Sequence, residues 1–186
     1  MLRYLPNALT LSRLILALPL GMLILRQDYE MALGVGLLAG LTDALDGFVA
    51  RRLQAFSRFG AALDPVSDKV LITVSFLCFA SVGLIPWYVA AVVITRDLVI
   101  VAGAICYHWL IGPFDFAATS LSKINMLIQI CFCVLVLTAQ VVPGIGKPVI
   151  DLASLMVVII AIASGMHYVI AWSNKAVRNR GKGVQD

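Results

Sequence analysis

The chain has 186 residues, of which 61% are hydrophobic and 13% charged. A soluble globular domain is about half apolar and about a quarter charged, so this composition excludes an ordinary soluble domain and predicts an integral membrane protein. The net charge of +4 does not indicate nucleic-acid binding, because the basic residues flank apolar runs, as the orientation rule for membrane proteins requires. Contact with anionic lipid headgroups is a further expectation.

The apolar runs predict an all-α membrane protein with six transmembrane helices in one domain, 11–174, since one crossing takes about 20 residues. Residues 1–10 are short and basic, and they predict an interfacial helix or arm in which Asn7 or Thr10 caps the first span. The tail, 175–186, is basic and is expected to fray. The spans are predicted at 11–25, 31–53, 61–82, 87–110, 121–142 and 149–172.

Lys and Arg beside the spans predict the orientation. They cluster before the first span, in the link after the second, and in the tail, whereas the opposite links carry only Arg26 and Lys147. Both termini and the link between spans two and three are therefore expected on the cytoplasmic side of an inner membrane. In span two, Gly34, Gly36 and Gly40 are small residues of the kind that allows close helix packing.

Four of the ten acidic residues lie within twenty-six positions, as Asp43, Asp46, Asp64 and Asp68. The first two are three apart and the last two four apart, so each pair shares one face of a helix. Because a short link joins the two helices, we expect antiparallel neighbours whose acidic faces meet. Oxygen ligands without Cys or His favour Mg²⁺ or Mn²⁺, and a spare carboxylate is suited to take a proton from an attacking hydroxyl.

Two alternatives stay open at this point. The aspartates are also suited to be helix caps or ion-pair partners of nearby cations, and the chain is also compatible with a cation transporter. A transporter is expected to hold its acidic residues near the bilayer midplane, on repeated and broken helices. Here they cluster at one edge, and intramembrane ionisable residues are functional by default. The nearby cations are Arg51, Arg52, Arg58 and Lys69.

The acidic stretch resembles the complete signature of the CDP-alcohol phosphotransferases, also called CDP-alcohol phosphatidyltransferases. The matching positions are Asp43, Asp46, Gly47, Ala50, Arg51, Gly60, Asp64 and Asp68. The resemblance implies a six-helix membrane enzyme, usually a homodimer, that transfers a phosphatidyl group from a CDP-linked lipid such as CDP-diacylglycerol to an alcohol and releases CMP. It also implies that the four aspartates hold one or two divalent metals, with Asp68 as general base, and that Gly47, Ala50, Arg51 and Gly60 surround the CDP moiety.

Arg96 and Lys123 are the informative residues for the acceptor alcohol. A charged residue inside span four is costly unless it faces a polar cavity, and the two side chains are suited to bind an acceptor phosphate. The alternative is a salt bridge of Arg96 with Asp97 or a motif aspartate, with Lys123 extending to the surface. Thr95-Arg96-Asp97 and Ser122-Lys123-Ile124-Asn125 are similar to the cardiolipin synthases of this family, which use phosphatidylglycerol. The alternative acceptor is glycerol-3-phosphate, used by the related phosphatidylglycerophosphate synthases.

Overall fold

The computed structural model describes residues 5–53, 58–111 and 120–182, and it describes the side chains of 15–41, 69–103, 121–168 and 170. Over these residues the protein is all-helical, which confirms the predicted class. The predicted calls that fall on 1–4, 54–57, 112–119 and 183–186 lie outside the described residues. The helices are α1 (Leu5–Leu25), α2 (Tyr29–Leu53), α3 (Arg58–Ser81), α4 (Trp87–Ile111), α5 (Ser120–Val141) and α6 (Lys147–Lys182).

The first and last helices are longer than the sequence predicted. Helix α1 begins at Leu5, so Asn7 and Thr10 lie inside it and do not cap it. Its 21 residues give a length of about 32 Å, close to the thickness of a hydrocarbon layer. Helix α6 has 36 residues and runs about 54 Å. The tail, which was expected to fray, is thus helical from Lys175 to Lys182. Its Ala, Lys and Arg residues are good helix formers.

Helices α1 and α5 hold the bundle together. Helix α1 packs against α2 and α3, and α5 packs against α2, α3 and α6, while α4 packs against α3 and α6. Within the parts whose side chains the structure describes, no Cα atom of 29–41 in α2 lies within 8 Å of a Cα atom of 69–81 in α3. The prediction that these helices are direct neighbours therefore does not hold over this part of their length. Helices α1 and α5 separate them there, because each presents an apolar face to both.

Close packing depends on a glycine that the sequence did not single out. A Cβ on Gly21 of α1 would lie 2.9 Å from Cγ1 of Val74 and 3.4 Å from Sγ of Cys78, both on α3. Within one chain, Gly34 and Gly40 do not have the predicted packing role, since no neighbouring atom lies within 4 Å of a Cβ at either position. Gly36 makes only ordinary contacts at 3.9 and 4.0 Å. Spacing alone does not reveal which small residue faces another helix.

Two tight turns set the ends of α1 and α3. After α1, the N–H of Asp28 donates to the carbonyl of Leu23 at 3.0 Å, and Gln27 adopts a left-handed conformation with φ of 62°. After α3, Gly83 adopts the same conformation with φ of 77°. Both ends have the hydrogen-bond pattern of a Schellman motif. The strain that glycine avoids at the second turn is present at Gln27 in the first.

Two helical segments are long and apolar enough to cross a membrane, within the described part of the chain. They are Leu121–Val141 and Lys147–Tyr168, with mean hydropathies of 2.1 and 2.3. Large apolar side chains also lie exposed on the outer face of every helix, and α6 shows a continuous row of them. That row consists of Val149, Leu152, Leu155, Met156, Ile159, Ile162, Met166 and Ile170.

Candidate functional site

The acidic motif occupies the last part of α2 and the first part of α3. Asp43 and Asp46 lie within α2, and Asp64 and Asp68 lie within α3. Because both segments are helical, the spacing places the members of each pair on one helix face. The side chains of 42–68 lie outside the described residues, so the roles of Gly47, Ala50, Arg51 and Gly60 there stay predictions. No group of three potential metal ligands occurs among the side chains that are described.

Directly after the motif, Lys69 forms an ion pair with a buried aspartate on another helix. Its Nζ donates to Oδ1 of Asp97 on α4 at 2.5 Å. The same oxygen accepts a hydrogen bond from Nη1 of Arg96 at 2.6 Å. Lys69 follows Asp68 in the chain, so this pair fixes the Arg96–Asp97 segment of α4 beside the motif-bearing end of α3.

Two more helices, α5 and α6, contact α4 at Arg96, which is only 7% exposed. Its Nη2 donates to Oγ of Ser164 on α6 at 2.6 Å and to Oγ of Ser122 on α5 at 3.2 Å. The stem of Arg96 packs against Gly165, where a Cβ would make an ordinary contact at 3.5 Å from Cγ of Arg96. The remaining donor, Nε, is buried and has no hydrogen-bond partner. One guanidinium thus links α4, α5 and α6.

We call Lys69, Arg96, Asp97, Ser122 and Ser164 the arginine cluster. It contains two cationic side chains and one carboxylate, so it carries a net positive charge. Burying charges costs several kcal/mol for each ion, and the pairing offsets this only in part. The cluster is therefore suited to bind an anion such as a phosphate. The salt bridge between Arg96 and Asp97, which the sequence left as an alternative, is present.

Lys123 does not join the arginine cluster. It is exposed, one residue beyond Ser122, and it forms no ion pair with a side chain that the structure describes. The structure thus brings together Arg96 and Lys69, rather than Arg96 and Lys123. The part of Lys123 in acceptor binding stays a prediction. Sequence reasoning missed Lys69 and Ser164 here, because their positions show no spacing that relates them to Arg96.

Helix α5 buries further polar groups below Ser122. Asn125 is 1% exposed, and neither atom of its amide has a hydrogen-bond partner. Gln129, one turn further, is 3% exposed, and its Nε2 is unpartnered. Unpartnered buried amides are costly. The two amides continue a polar face from the arginine cluster into the bundle, and their spacing of four on an apolar helix is the signal that was available in the sequence.

A small apolar cavity lies where α1 and α5 hold α2 and α3 apart. Its volume is about 80 Å³, and Gly36, Leu71, Ile72, Ser75 and Met126 contribute to its lining. The α2 and α3 residues that line it adjoin the motif segments of the two helices. Its apolar lining and its size suit a hydrocarbon segment rather than a charged group.

Comparisons with known proteins relate the chain to one family. The family model for CDP-alcohol phosphatidyltransferase matches residues 3–167. A cardiolipin synthase (CMP-forming) from Rattus norvegicus is 38% identical over 152 residues, covering 73% of this chain and 50% of the relative. The Homo sapiens protein of the same name is 37% identical with the same coverage. The chain thus spans about half the length of these two relatives.

A bacterial relative has a different name. The CDP-diacylglycerol–glycerol-3-phosphate 3-phosphatidyltransferase of Bacillus subtilis is 30% identical over 183 residues, covering 88% of this chain and 92% of the relative. Proteins named as cardiolipin synthases and a protein named for transfer to glycerol-3-phosphate therefore both occur among the similar proteins.

Proposed function

Because the chain belongs to the CDP-alcohol phosphatidyltransferase family, we propose that it transfers a phosphatidyl group from CDP-diacylglycerol to phosphatidylglycerol and releases CMP. The observation that carries the proposal is the ion pair from Lys69 to Asp97, which holds Arg96 beside the motif-bearing end of α3. A buried guanidinium in that position is suited to hold the phosphate of an anionic acceptor. Family membership supports this transfer reaction over cation transport.

The all-oxygen set of Asp43, Asp46, Asp64 and Asp68 fits a hard divalent ion, Mg²⁺ or Mn²⁺. Such an ion would neutralise charge on the pyrophosphate and make CMP a better leaving group. Asp68 takes the proton of the acceptor hydroxyl while the oxygen of that hydroxyl attacks the phosphatidyl phosphorus. The bond from phosphorus to the CMP oxygen then breaks. Residues Gly47, Ala50, Arg51 and Gly60 surround the CDP moiety in this proposal.

Arg96 binds the acceptor phosphate, and Lys123 attracts the acceptor at the membrane surface. Phosphatidylglycerol is favoured as acceptor by the similarity to the rat and human cardiolipin synthases. Glycerol-3-phosphate is the second candidate, and the similarity to the Bacillus subtilis enzyme favours it. Because both acceptors carry a phosphate, the positive charge of the arginine cluster suits either of them.

All six helices cross the inner membrane in this proposal, with the motif and both termini on the cytoplasmic side and two copies forming a homodimer. The exposed apolar side chains on each helix support burial in lipid, since a soluble protein rarely exposes such large apolar areas. Two helical segments are long and apolar enough to cross a membrane, by their length and composition alone. The lengths of α1 to α4, each between 21 and 25 residues, also suit a crossing.

The decisive experiment offers both acceptors in parallel to the purified protein in detergent, with CDP-diacylglycerol and Mg²⁺ or Mn²⁺. We expect CMP release and cardiolipin from phosphatidylglycerol. Phosphatidylglycerophosphate formed from glycerol-3-phosphate alone would overturn the acceptor assignment, and no CMP with either acceptor would overturn the transferase assignment.

A pair of variants tests the base. Asp68→Asn should abolish turnover, because an amide cannot accept the proton. Asp151→Asn is the matched control, since Asp151 is exposed near the start of α6 and should keep normal turnover. Normal turnover of Asp68→Asn would refute its role as base.

A further inference from the structure

A wide groove runs between α4 and α6 on the outer surface of the bundle. Its volume is about 550 Å³, several times that of the cavity between α2 and α3. The lining is almost wholly apolar, and Arg96 is its one charged residue. Residues that line it include Ala91, Thr95 and Val99 of α4, and Ile162, Gly165 and Met166 of α6.

The inner wall of this groove is positively charged. Arg96 is more than nine-tenths buried, and its Nε has no hydrogen-bond partner. Asp97 is the one carboxylate paired with Arg96 and Lys69 among the described side chains. A buried cation with a free donor and an excess of positive charge fits an anionic group. Apart from the hydroxyl of Thr95, the other side chains of the groove offer only van der Waals contact to an occupant.

The direction of the groove agrees with an amphiphilic occupant. The α3–α4 turn joins the end of α3 that is remote from the motif to the start of α4. Ala91, near that start, therefore lies on the side away from the motif, while Arg96 lies nearer to it. The lining is apolar on both sides of Arg96. With the anionic headgroup at Arg96, a hydrocarbon chain extending towards Ala91 fits the half of the groove that lies away from the motif.

We propose that the groove between α4 and α6 binds an acyl chain of the acceptor phospholipid, whose phosphate lies at Arg96. This inference rests on the proposed transfer to phosphatidylglycerol, and it deepens that function by identifying what selects a lipid acceptor. Glycerol-3-phosphate carries no chain to fill the groove. The acceptor enters sideways from the lipid, so its glycerol hydroxyl reaches the motif while its chain stays in an apolar environment.

Ala91→Phe tests the groove, and Ala163→Phe is the matched control. Both alanines are exposed, so neither substitution disturbs the core, but only Ala91 lines the groove. The KM for dioleoyl phosphatidylglycerol should rise about tenfold in Ala91→Phe, because the ring occupies space that the chain needs. The KM for CDP-diacylglycerol should not change. Glycerophosphoglycerol, the headgroup without acyl chains, has nothing to place beside Ala91, so Ala91→Phe and the unsubstituted enzyme should use it equally well.

Equal KM values for dioleoyl phosphatidylglycerol in the two variants would overturn the proposal. So would a rise for CDP-diacylglycerol in Ala91→Phe, since the groove would then serve the donor. Thr95→Cys tests a second copy of the chain as the occupant. Efficient disulfide cross-linking between two Thr95→Cys chains in liposomes would show that the groove is an interface, and would also overturn the proposal.

Photolabelling separates this inference from the proposed function, because it needs no turnover. Phosphatidylglycerol with a diazirine on one acyl chain should label the α6 peptide at Ala161 or Ile162, and Ala91→Phe should remove that label while Ala163→Phe keeps it. Labelling without cardiolipin synthesis would refute the proposed transfer and support the lipid site. Cardiolipin synthesis with label only outside α4 and α6 would refute the groove and leave the transfer intact.

Discussion

The two ends of the α3–α4 pair are built in opposite ways. Towards the turn that joins them, Phe76, Phe79, Val89 and Val93 are fully buried and apolar, and the ring of Phe76 lies 5.5 Å from that of Phe132 on α5. Towards the motif, the same helices bury the charged arginine cluster. The apolar end can be stabilised by packing alone. At the polar end, the buried ions and unpartnered donors are unfavourable and offset part of the stability that packing provides.

This difference indicates a division of roles between the ends. Buried charged groups are weak contributors to stability and are retained where they position something. Substitutions at the polar end should therefore lower the rate per folded molecule as well as the melting temperature. Substitutions at the apolar end should lower the melting temperature and leave the rate per folded molecule nearly unchanged.

Among the substitutions that compare the two ends, the largest effect is expected for Asp97→Asn. Loss of the carboxylate leaves Arg96 and Lys69 without their counter-ion, at a cost of about 3 kcal/mol or more, and we expect roughly a hundredfold lower rate of CMP release. Asp97→Glu keeps the charge and should retain much of the activity. The rate should be measured together with the melting temperature in detergent. An Asp97→Asn protein with a normal rate would show that the ion pair does not position Arg96 for the reaction.

The apolar end is tested by Phe76→Ala, which should lower the free energy of unfolding by about 3 kcal/mol because it leaves a cavity. The rate per folded molecule should stay close to that of the unsubstituted protein. Leu77→Ala is the control, since Leu77 is 39% exposed and should cost less than about 1 kcal/mol. Thermal unfolding in detergent measures both. Equal losses for the two variants would contradict the packed core described at Phe76.

A smaller effect is expected where α1 meets α3. Gly21→Leu must displace Val74 and Cys78, and overpacking of this kind costs about 2 kcal/mol. Gly34→Leu adds the same side chain where nothing lies within 4 Å of a Cβ. It should be neutral or slightly stabilising, because leucine is the better helix former. A lower melting temperature for Gly34→Leu than for Gly21→Leu would reverse the assignment of the close contact.

The smallest effect is expected at the first turn. Gln27→Gly removes the strain of a left-handed residue and should raise the free energy of unfolding by about 0.5 kcal/mol, after the greater chain entropy of glycine is subtracted. Gln140→Gly, in the last turn of α5, should have the opposite sign, with a loss of about 0.5 kcal/mol. The two melting temperatures should therefore shift in opposite directions. A downward shift for both would argue against a strained Gln27.

Local features of the chain were enough to predict the helices and to identify the motif. The four inner helices begin and end within a few residues of their predicted limits, because turn residues and apolar runs act over short distances. The additional turns of α1 and α6 were missed, since mixed polar segments can continue a helix once it has formed.

By itself the sequence determined the all-helical class, the signature of the family and the spacing of its aspartates, because these depend on neighbours within a few positions. Only the tertiary structure decided that Lys69 pairs with Asp97, that Gly21 rather than Gly34 or Gly40 permits a close approach, and that a groove opens beside Arg96. Each of these depends on which helix faces meet, and that choice is made by side chains far apart in the chain that pack together only in the folded bundle.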